Sequence, residues 1–321
     1  MDYSSAFNTI IPDILVSKLC DLGLHPLTYS WIKEFLTNRP QTVKLGPYFS
    51  STRILSTGSP QGCMLSPLLY ALYTADCRPA HTSNTIVKFA DNTIVVGPIS
   101  GGDETAYRDE VLKLSRWCQA NNPILNTTKT KEIILDFRKN RADPPPLYIN
   151  ENCVERVHSF TPLGTNISAD LTWSNNTMAV IRKTQQRLYL RRLRKNNVSQ
   201  ELLVTFYRST IESILSYCIT VWFSHCTEAE RQSLHRVVKM AQRLIGCPLP
   251  SLKDIYQSRC FSRVTSIITD STHPAFPLFD LLLSGRRYRS IITRTNRLRN
   301  SFFPQAITIR NTHTSTNFTP L

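Results

Sequence analysis

The chain of 321 residues lacks several features, and each absence excludes a class of protein. Its nine cysteines contain no C-x-x-C pair, which argues against a disulfide framework and a structural zinc site. The longest apolar stretch, near Ile211–Phe223, contains Glu212 and is too short to span a bilayer. The first basic residue is Lys18, so the N-terminus lacks the positive region of a secretory signal. We therefore expect an intracellular protein, nuclear or cytoplasmic, with no membrane partner.

Acidic residues are scarce in the second half of the chain. Residues 1–150 carry 15 basic and 13 acidic side chains, whereas residues 151–321 carry 23 and 10. Almost all of the net charge of +15 therefore belongs to the second half. The hydrophobic content of 41% is enough for a core, so the chain is not a disordered basic tail. A folded basic half predicts a polyanionic partner.

The hydrophobic pattern changes along the chain. The first part predicts helices and strands in alternation, with helices at Asp13–Leu22, 26–38, Leu65–Tyr73 and about 103–120, and a hairpin within 85–97. After residue 175 the pattern is helical, and apolar residues from Leu203 to Trp222 recur with a period close to 3.6, which predicts one helix. Thr227 and Glu230 form a capping box for another helix that ends at Gly246.

Four short segments contain residues suited to chemistry. Asp2 precedes Phe7 by five residues, Ser59-Pro60-Gln61-Gly62 precedes a helix, Phe89-Ala90-Asp91-Asn92 occupies a hairpin tip, and Lys129 and Lys131 lead into a strand. Each segment alone is weak, because an Asp at a strand end is usually a surface acid, such lysines are usually solvated, and Phe7 would ordinarily be core. Their order and spacing along the chain are better evidence of function than any one segment.

In this order the segments resemble the palm of a reverse transcriptase from a non-LTR, LINE-type retrotransposon. D-Y-S-S-A-F-N-T-I-I-P, G-S-P-Q-G-C-M-L-S-P-L-L and F-A-D-N are similar to its first three motifs. Trp117–Arg138 is similar to the fourth motif, and Phe160–Thr165 to the fifth, the primer grip. Leu188–Gly246 and Leu282–Pro304 are similar to the region that follows the palm in such elements.

The resemblance implies an α+β fold: an antiparallel sheet with helices on one face, followed by a mostly helical, thumb-like region. It divides the chain into a partial palm (1–140), a linker with primer-grip-like strands (141–175), a basic helical thumb-like region (176–300) and a loose tail (301–321). Because Met1 immediately precedes the first motif, the fingers and the upstream endonuclease are expected to be missing.

The resemblance also assigns roles to particular residues. It implies an RNA-directed DNA polymerase that uses two Mg²⁺ or Mn²⁺ ions, an RNA template, a DNA primer and deoxynucleoside triphosphates; the oligomeric state stays open. The metal ligands are Asp2 and Asp91, the residues near the nucleotide are Phe7, Gln61, Gly62 and Lys129, and the residues that support the primer are Leu163 and Gly164. Carboxylate oxygens are the ligands that Mg²⁺ prefers.

One residue departs from the family pattern at the site. Asn92 stands where the family usually has a second Asp, so a charge next to the metals is lost. Together with the missing fingers, this loss predicts an inefficient polymerase. The alternative is a catalytically dead relic that still binds nucleic acid.

Two basic clusters suggest where nucleic acid would bind. The first follows steps of 4, 4 and 3 along one helix face, and comprises Lys183, Arg187, Arg191 and Arg194. The second surrounds Tyr288 and comprises Arg286, Arg287 and Arg289. Such clusters suit a phosphate backbone, although a solvated helix face would give the same pattern.

Residues about 180–235 also resemble the N-terminal segment of AlkB-like alkylation-repair homologues. That resemblance would imply an iron and 2-oxoglutarate oxygenase or a methyltransferase. None of the seven histidines begins an H-x-D or H-x-E pattern, and no G-x-G-x-x-G turn is present. The segment is therefore interpreted as a shared helical piece without that activity.

Overall fold

A computed structural model of the chain describes residues 1–138, 144–186 and 190–316. The chain forms two compact units, Met1–His158 and Ser159–Leu321, and each has its own cluster of buried apolar side chains. The boundary falls inside the segment 141–175, so the four-part division at 140, 175 and 300 stays a prediction. No helix in the described part of the chain is long and apolar enough to cross a lipid bilayer.

The described strands pair two by two in short ladders. They are β1 (Tyr3–Ser4), β2 (Arg39–Gln41), β3 (Lys44–Leu45), β4 (Tyr48–Phe49), β5 (Arg53–Leu55), β6 (Thr85–Phe89), β7 (Asn92–Val96), β8 (Ile124–Leu125), β9 (Lys131–Glu132), β10 (Tyr148–Ile149), β11 (Asn152–Cys153), β12 (Glu155–Arg156), β13 (Ser159–Phe160) and β14 (Ile167–Ser168). The pairs β1–β8, β2–β5, β3–β4, β6–β7, β10–β11 and β13–β14 are antiparallel, and β9–β12 is parallel. With the helices, this agrees with the α+β class.

Four helices build the first unit, close to the positions that the sequence predicted. They are α1 (Pro12–Asp21), α2 (Pro26–Leu36), α3 (Ser66–Tyr73) and α4 (Thr105–Asn121), with a 3₁₀ turn at Ala6–Asn8. Pro12 and Pro26 occupy first turns, where the fixed φ of proline favours a helix start. Leu15 and Leu19 of α1 pack with Leu36 of α2 in the core of this unit. All three are fully buried.

The second unit is mostly helical. Its helices are α5 (Ser174–Gln186), α6 (Leu190–Lys195), α7 (Gln200–Tyr207), α8 (Ser213–Leu215), α9 (Ile219–Trp222), α10 (Glu228–Ile245), α11 (Leu252–Thr269), α12 (Asn296–Arg299) and α13 (Phe302–Thr316), with a π-helical segment at Arg208–Glu212 and 3₁₀ turns at Pro162–Gly164, Phe223–His225 and Phe276–Leu278. Helix α10 confirms the predicted ends: Thr227 and Glu230 form the capping box, and Gly246 ends the helix with φ +84°.

The single helix predicted from Leu203 to Trp222 is wrong at its second half. The helical run ends at Leu215, and Cys218 turns the chain with φ +48° before α9 begins. The reason lies on α11, where the guanidinium of Arg259 donates to the carbonyl of Ser216 at 2.5 Å and to its hydroxyl at 2.9 Å. That carbonyl would otherwise accept a bond within a continuing helix.

The loose tail predicted from residue 301 is also wrong over much of its length. Residues Phe302–Thr316 form α13, which packs on α11 and buries Ala306 and Ile307. Threonine and asparagine give the segment low helix propensity, and tertiary burial of its apolar residues overrides that preference. Residues 317–321 lie outside the described residues.

Candidate active site

Asp2, which immediately precedes β1, lies between the start of β7 and the residue that follows β8. An antiparallel bridge pairs Asp2 directly with Asn92 at the start of β7. On the other side, the Asp2 carbonyl accepts from the backbone N–H of Asn126 at 2.9 Å. The backbone N–H of Asp2 donates to Thr130 Oγ1 at 3.4 Å. The first and third motifs therefore meet through backbone pairing.

The third motif sits on a tight two-residue turn. Phe89 pairs with Asn92, so Ala90 and Asp91 form the tip of the hairpin. Ala90 has φ +49°, a left-handed conformation that is costly for a residue with a Cβ and is typical of the turns that join such strands. Asn92 Nδ2 donates to Asp91 Oδ1 at 3.2 Å. The Asn92 amide is therefore hydrogen-bonded to one of the two oxygens of the Asp91 carboxylate.

Lys129 approaches the first motif from the turn after β8. Its ammonium Nζ lies 3.9 Å from Asp2 Oδ2, and both side chains remain partly exposed to water. The turn is formed by Asn126, whose Oδ1 accepts from the backbone N–H of Lys129 at 3.1 Å and from the hydroxyl of Thr128 at 2.7 Å. The structure therefore brings Lys129 to Asp2, one of the two predicted metal ligands.

The glycine-containing loop of the second motif packs on the first motif. The N–H of Gly58 donates to the carbonyl of Ile10 at 2.7 Å, and that of Ser59 donates to the carbonyl of Phe7 at 2.8 Å. A Cβ on Gly58 would lie 2.7 Å from the Cα of Asn8, and its φ is +71°. Only glycine therefore allows this close approach. Gln61 also reaches the first motif, with Nε2 3.5 Å from the Oδ1 of Asn8.

Phe7 and Tyr70 form an aromatic pair beside the predicted metal ligands. Their ring centroids are 5.2 Å apart. Tyr70, on α3, is 2% exposed, and its hydroxyl has no hydrogen-bond partner among the described residues. Burial, and to a lesser degree the Asp91 carboxylate, raises the pKa of the Tyr70 phenol. The sequence analysis missed Tyr70, because an aromatic residue on an apolar helix predicts core packing.

Lys88 is a second residue that the sequence analysis missed. It lies on β6, three residues before Asp91, and its ammonium donates to the carbonyls of Thr74 at 2.5 Å and of Cys77 at 3.1 Å. Partial burial lowers the pKa of this lysine. The contacts anchor the hairpin to the C-terminal end of α3. A lone lysine in an otherwise apolar strand was the available signal.

Asp2 and Asp91 have the chemistry of a divalent-cation site. Both supply carboxylate oxygens, which are the ligands that Mg²⁺ and Mn²⁺ favour. Asn92 adds an amide oxygen without charge. Within residues 1–138, 144–186 and 190–316, no group of three or more His, Cys, Asp or Glu side chains is placed to hold a metal. The residue types suit a cation, and Asn92 lacks the charge that a third carboxylate would supply.

The fifth motif belongs to the second unit. Leu163 has φ +50° and Gly164 has φ +81°, so two successive residues are left-handed. The hydroxyl of Tyr217 donates to the carbonyl of Leu163 at 2.5 Å and holds this turn. The turn is well defined, and its predicted support of a primer stays a prediction.

The structure describes three of the four residues of the first basic cluster. Lys183 lies on α5, whereas Arg191 and Arg194 lie on α6; Arg187 lies outside the described residues. The guanidinium of Arg194 donates to the carbonyl of Arg243 at 2.9 Å, at the end of α10. Arg194 therefore contributes to capping a helix, a structural role that the sequence pattern did not distinguish from phosphate binding.

The second basic cluster lies in an irregular segment. Arg286, Arg287 and Arg289 are exposed on either side of a bridge between Leu281 and Tyr288. Tyr288 packs edge-on against Phe279, with centroids 6.2 Å apart, and is half-buried. Its ring therefore packs against the apolar cluster of this unit.

Comparison with protein families identifies the class of protein. The chain matches the model described as reverse transcriptase (RNA-dependent DNA polymerase) over residues 1–167, which is just over half of its length. The chain therefore belongs to the reverse transcriptase family. Residues 173–213 match a second model, the N-terminal segment of alkylated DNA repair protein alkB homolog 8. That match covers α5 to the start of α8 only.

Curated relatives come from mobile elements of Drosophila melanogaster. The chain is 24% identical over 228 residues to a probable RNA-directed DNA polymerase from transposon X-element, covering 68% of the chain and 25% of the relative. It is 25% identical over 234 residues to that from transposon BS (69% and 26%). It is 24% identical over 265 residues to the RNA-directed DNA polymerase from mobile element jockey (77% and 28%). The chain spans about a quarter of the length of these relatives.

Proposed function

We propose that the first unit is a reverse transcriptase palm and that the second unit is a thumb-like, nucleic-acid-binding region. In this proposal the chain adds deoxynucleotides to a DNA primer on an RNA template. The observation that carries it is the bridge between Asp2 and Asn92, which joins the first motif to the third. Family membership and the names of the relatives support the same activity.

Asp2 and Asp91 would hold two Mg²⁺ or Mn²⁺ ions. Bound metal ions would supply charge stabilisation for phosphoryl transfer and activate the attacking oxygen. Lys129, beside Asp2, is placed to contact a triphosphate or donate a proton. Phe7, backed by Tyr70, offers a ring edge against the sugar of an incoming nucleotide.

The other motif residues would position the substrates. Gln61 and Gly62, in the loop packed on the first motif, would contact the nucleotide or the template. Leu163 and Gly164 would support the primer end through the backbone of their left-handed turn. These assignments follow the family motif residue by residue.

Asn92 would make this site slow. Its amide carries no charge, and its Nδ2 occupies an oxygen of Asp91 that a cation would otherwise take. Electrostatic stabilisation at a reacting centre is typically worth about 10²–10³-fold in rate. Position 92 is exposed to water, which screens charge, so the expected loss is smaller, at about tenfold.

Extension of oligo(dT) on poly(rA) with Mg²⁺ or Mn²⁺ tests the activity. We expect incorporation by the chain, none by Asp91→Ala, and unchanged incorporation by Asp21→Ala, which removes an exposed acid from the end of α1. Circular dichroism of each variant checks the fold. Folded protein without any incorporation would contradict the polymerase proposal.

A second candidate is a nucleic-acid-binding relic without chemistry. The pairing of Asn92 with Asp91 and the approach of the Lys129 ammonium to Asp2 favour it, because both compete with a cation. The relic would bind RNA or DNA with an affinity that falls linearly on a log–log plot against salt. Such binding without incorporation would favour this candidate over the polymerase.

A further inference from the structure

A groove in the second unit lies beside the turn of the fifth motif. It has a volume of about 470 Å³ and lies between α5 and the residues that follow the π-helical segment. Gly164 of the left-handed turn forms part of its lining. The volume is within the range of small-molecule sites, roughly 300–1,000 Å³. Apart from Gly164, its helical walls lie in or next to the segment that matches the second family model.

The groove has an apolar wall with one aromatic face. Val180 of α5 and Ile214 of α8 line it together with the ring of Tyr217. The Tyr217 ring would lie 3.5 Å from a Cβ at position 164, and the glycine there leaves that space open. A slot bounded by aliphatic carbon and an aromatic ring suits a planar, weakly polar group such as a nucleobase.

The polar side chains of the groove include one positive charge and one unpaired donor. Of the described side chains that line it, Lys183 alone carries a charge. Asn176 is only 4% exposed, and its Oδ1 accepts from the backbone N–H of Asn166 at 3.1 Å. Its Nδ2 finds no acceptor among the described residues. An ammonium and an unpaired amide N–H in one groove favour an anionic ligand rich in acceptors.

The turn at the groove is strained and held in place. Leu163 is left-handed although it has a Cβ, and such a conformation persists only where surrounding contacts fix it. The contact here is the hydrogen bond from the Tyr217 hydroxyl to the Leu163 carbonyl. Tyr217 therefore both fixes the turn and lines the groove, which keeps the shape of the site independent of a ligand.

We propose that this groove binds one nucleoside monophosphate unit, with its base against Tyr217 and Ile214 and its phosphate at Lys183. The unit is either a free mononucleotide or one unpaired nucleotide of a single strand, and both present the same chemistry. The proposal rests on the proposed nucleic-acid function of the chain. It adds a site for a single nucleotide outside base pairing.

Fluorescence anisotropy of the full chain tests the proposal. The probes are a short 5′-phosphorylated oligo(dA), a blunt duplex of the same length, and AMP as a free competitor, all in EDTA to prevent metal-dependent chemistry. Lys183→Ala is compared with Lys239→Ala, which removes the same charge from an exposed position on α10 in the same unit.

We expect Lys183→Ala to weaken single-strand binding about tenfold relative to Lys239→Ala, because it loses a charge-assisted phosphate contact. Its log–log salt slope should also fall by about 0.7 relative to the control. Duplex binding should change equally in both variants. If AMP alone shows the Lys183 dependence, the occupant is a free nucleotide, which also supports the proposal.

Two variants of Tyr217 distinguish the contribution of its ring to binding from that of its hydroxyl. Tyr217→Leu should weaken single-strand binding about tenfold through loss of the aromatic face. Tyr217→Phe keeps that face and should retain most of the affinity. Melting curves establish that each variant is folded.

Equal affinities of Lys183→Ala and Lys239→Ala for both the single strand and AMP would overturn the groove proposal. That result is separable from failure of the polymerase proposal, because binding is measured without metal and without Asp91-dependent synthesis. If the chain incorporates nucleotides but Lys183→Ala does not change its single-strand affinity, the polymerase proposal stands and the groove proposal is wrong.

Discussion

At the scale of single residues, Gly58 shows how the second motif is fixed to the first. Its φ of +71° is left-handed, and a Cβ there would lie 2.7 Å from the Cα of Asn8. Gly62, four residues later, has φ +80°, but a Cβ there would meet no atom within 4 Å. A substitution at Gly62 would therefore incur only the cost of a left-handed backbone, whereas a substitution at Gly58 would incur that cost and a steric clash.

We expect Gly58→Ala to destabilise the protein by about 3 kcal/mol or more, because backbone strain and steric overlap add. Gly62→Ala should cost about 1–2 kcal/mol from the backbone alone. Urea unfolding of both variants measures the difference. Equal losses would show that the loop can move away from the first motif without cost.

The part of the proposed site that the sequence predicted consists of the motif residues. Asp2, Asp91 and Lys129 were identifiable because a motif fixes both residue type and order. Tyr70 and Lys88 were not, because their significance depends on which elements they meet. The hydroxyl of Tyr70 and the ammonium of Lys88 take their roles from α3 and the hairpin packing together, and neither role has a local sequence pattern.

At the scale of elements, Lys88 couples the hairpin that carries Asp91 to α3. Its ammonium contacts the carbonyls of Thr74 and Cys77, at the end of a helix where a positive charge is favourable. Lys88→Met keeps the length of the side chain and removes the donor. We expect a loss of about 1–2 kcal/mol in unfolding free energy.

Amide hydrogen exchange shows which elements are destabilised by Lys88→Met. Amide groups of β6 and β7 should exchange faster in Lys88→Met, whereas those of α1 should be unchanged. Lys88→Arg retains charge and donors and should restore most of the protection. If the hairpin exchanges no faster in Lys88→Met than in the unaltered chain, the anchoring role is wrong.

Element boundaries were predictable where the signal is local. The capping box at Thr227 and the glycine at position 246 fix α10 from residues within the helix itself. The break after Leu215 depends on Arg259, more than forty residues away, and α13 depends on burial against α11. Local periodicity and composition contain no information on such distant partners. The predictions of one helix as far as Trp222 and of a loose tail from residue 301 were therefore wrong.

At the scale of the whole molecule, both units bury tyrosine hydroxyls. Burial raises the pKa of tyrosines in both units, chiefly through desolvation; the affected residues are Tyr3, Tyr70, Tyr107, Tyr207 and Tyr256. A raised pKa means that the folded state holds these protons more tightly than the unfolded state does. The resulting stability is complete below the unfolded pKa of about 10 and is lost as the pH rises above it.

We therefore expect the unfolding free energy to begin to fall near about pH 8.5, because burial also raises the pKa of the Cys77, Cys118, Cys226 and Cys260 thiols, and to fall more steeply above about pH 10. Urea unfolding across this range measures the slope, and absorbance of the phenolate reports ionisation. Folded protein whose tyrosines all ionise near pH 10 would contradict the burial of these groups. The loss should be reversible on return to neutral pH.

The account as a whole depends on Asp2 and Asp91 acting together at a metal-dependent site that Asn92 weakens. The most direct test is the single-turnover rate of primer extension with Mn²⁺, compared among the chain, Asn92→Asp and Asp91→Ala. We predict that Asn92→Asp is about tenfold faster than the chain, since it restores a carboxylate, and that Asp91→Ala is inactive. Extension that persists in Asp91→Ala, or that Asn92→Asp fails to accelerate, would contradict the account.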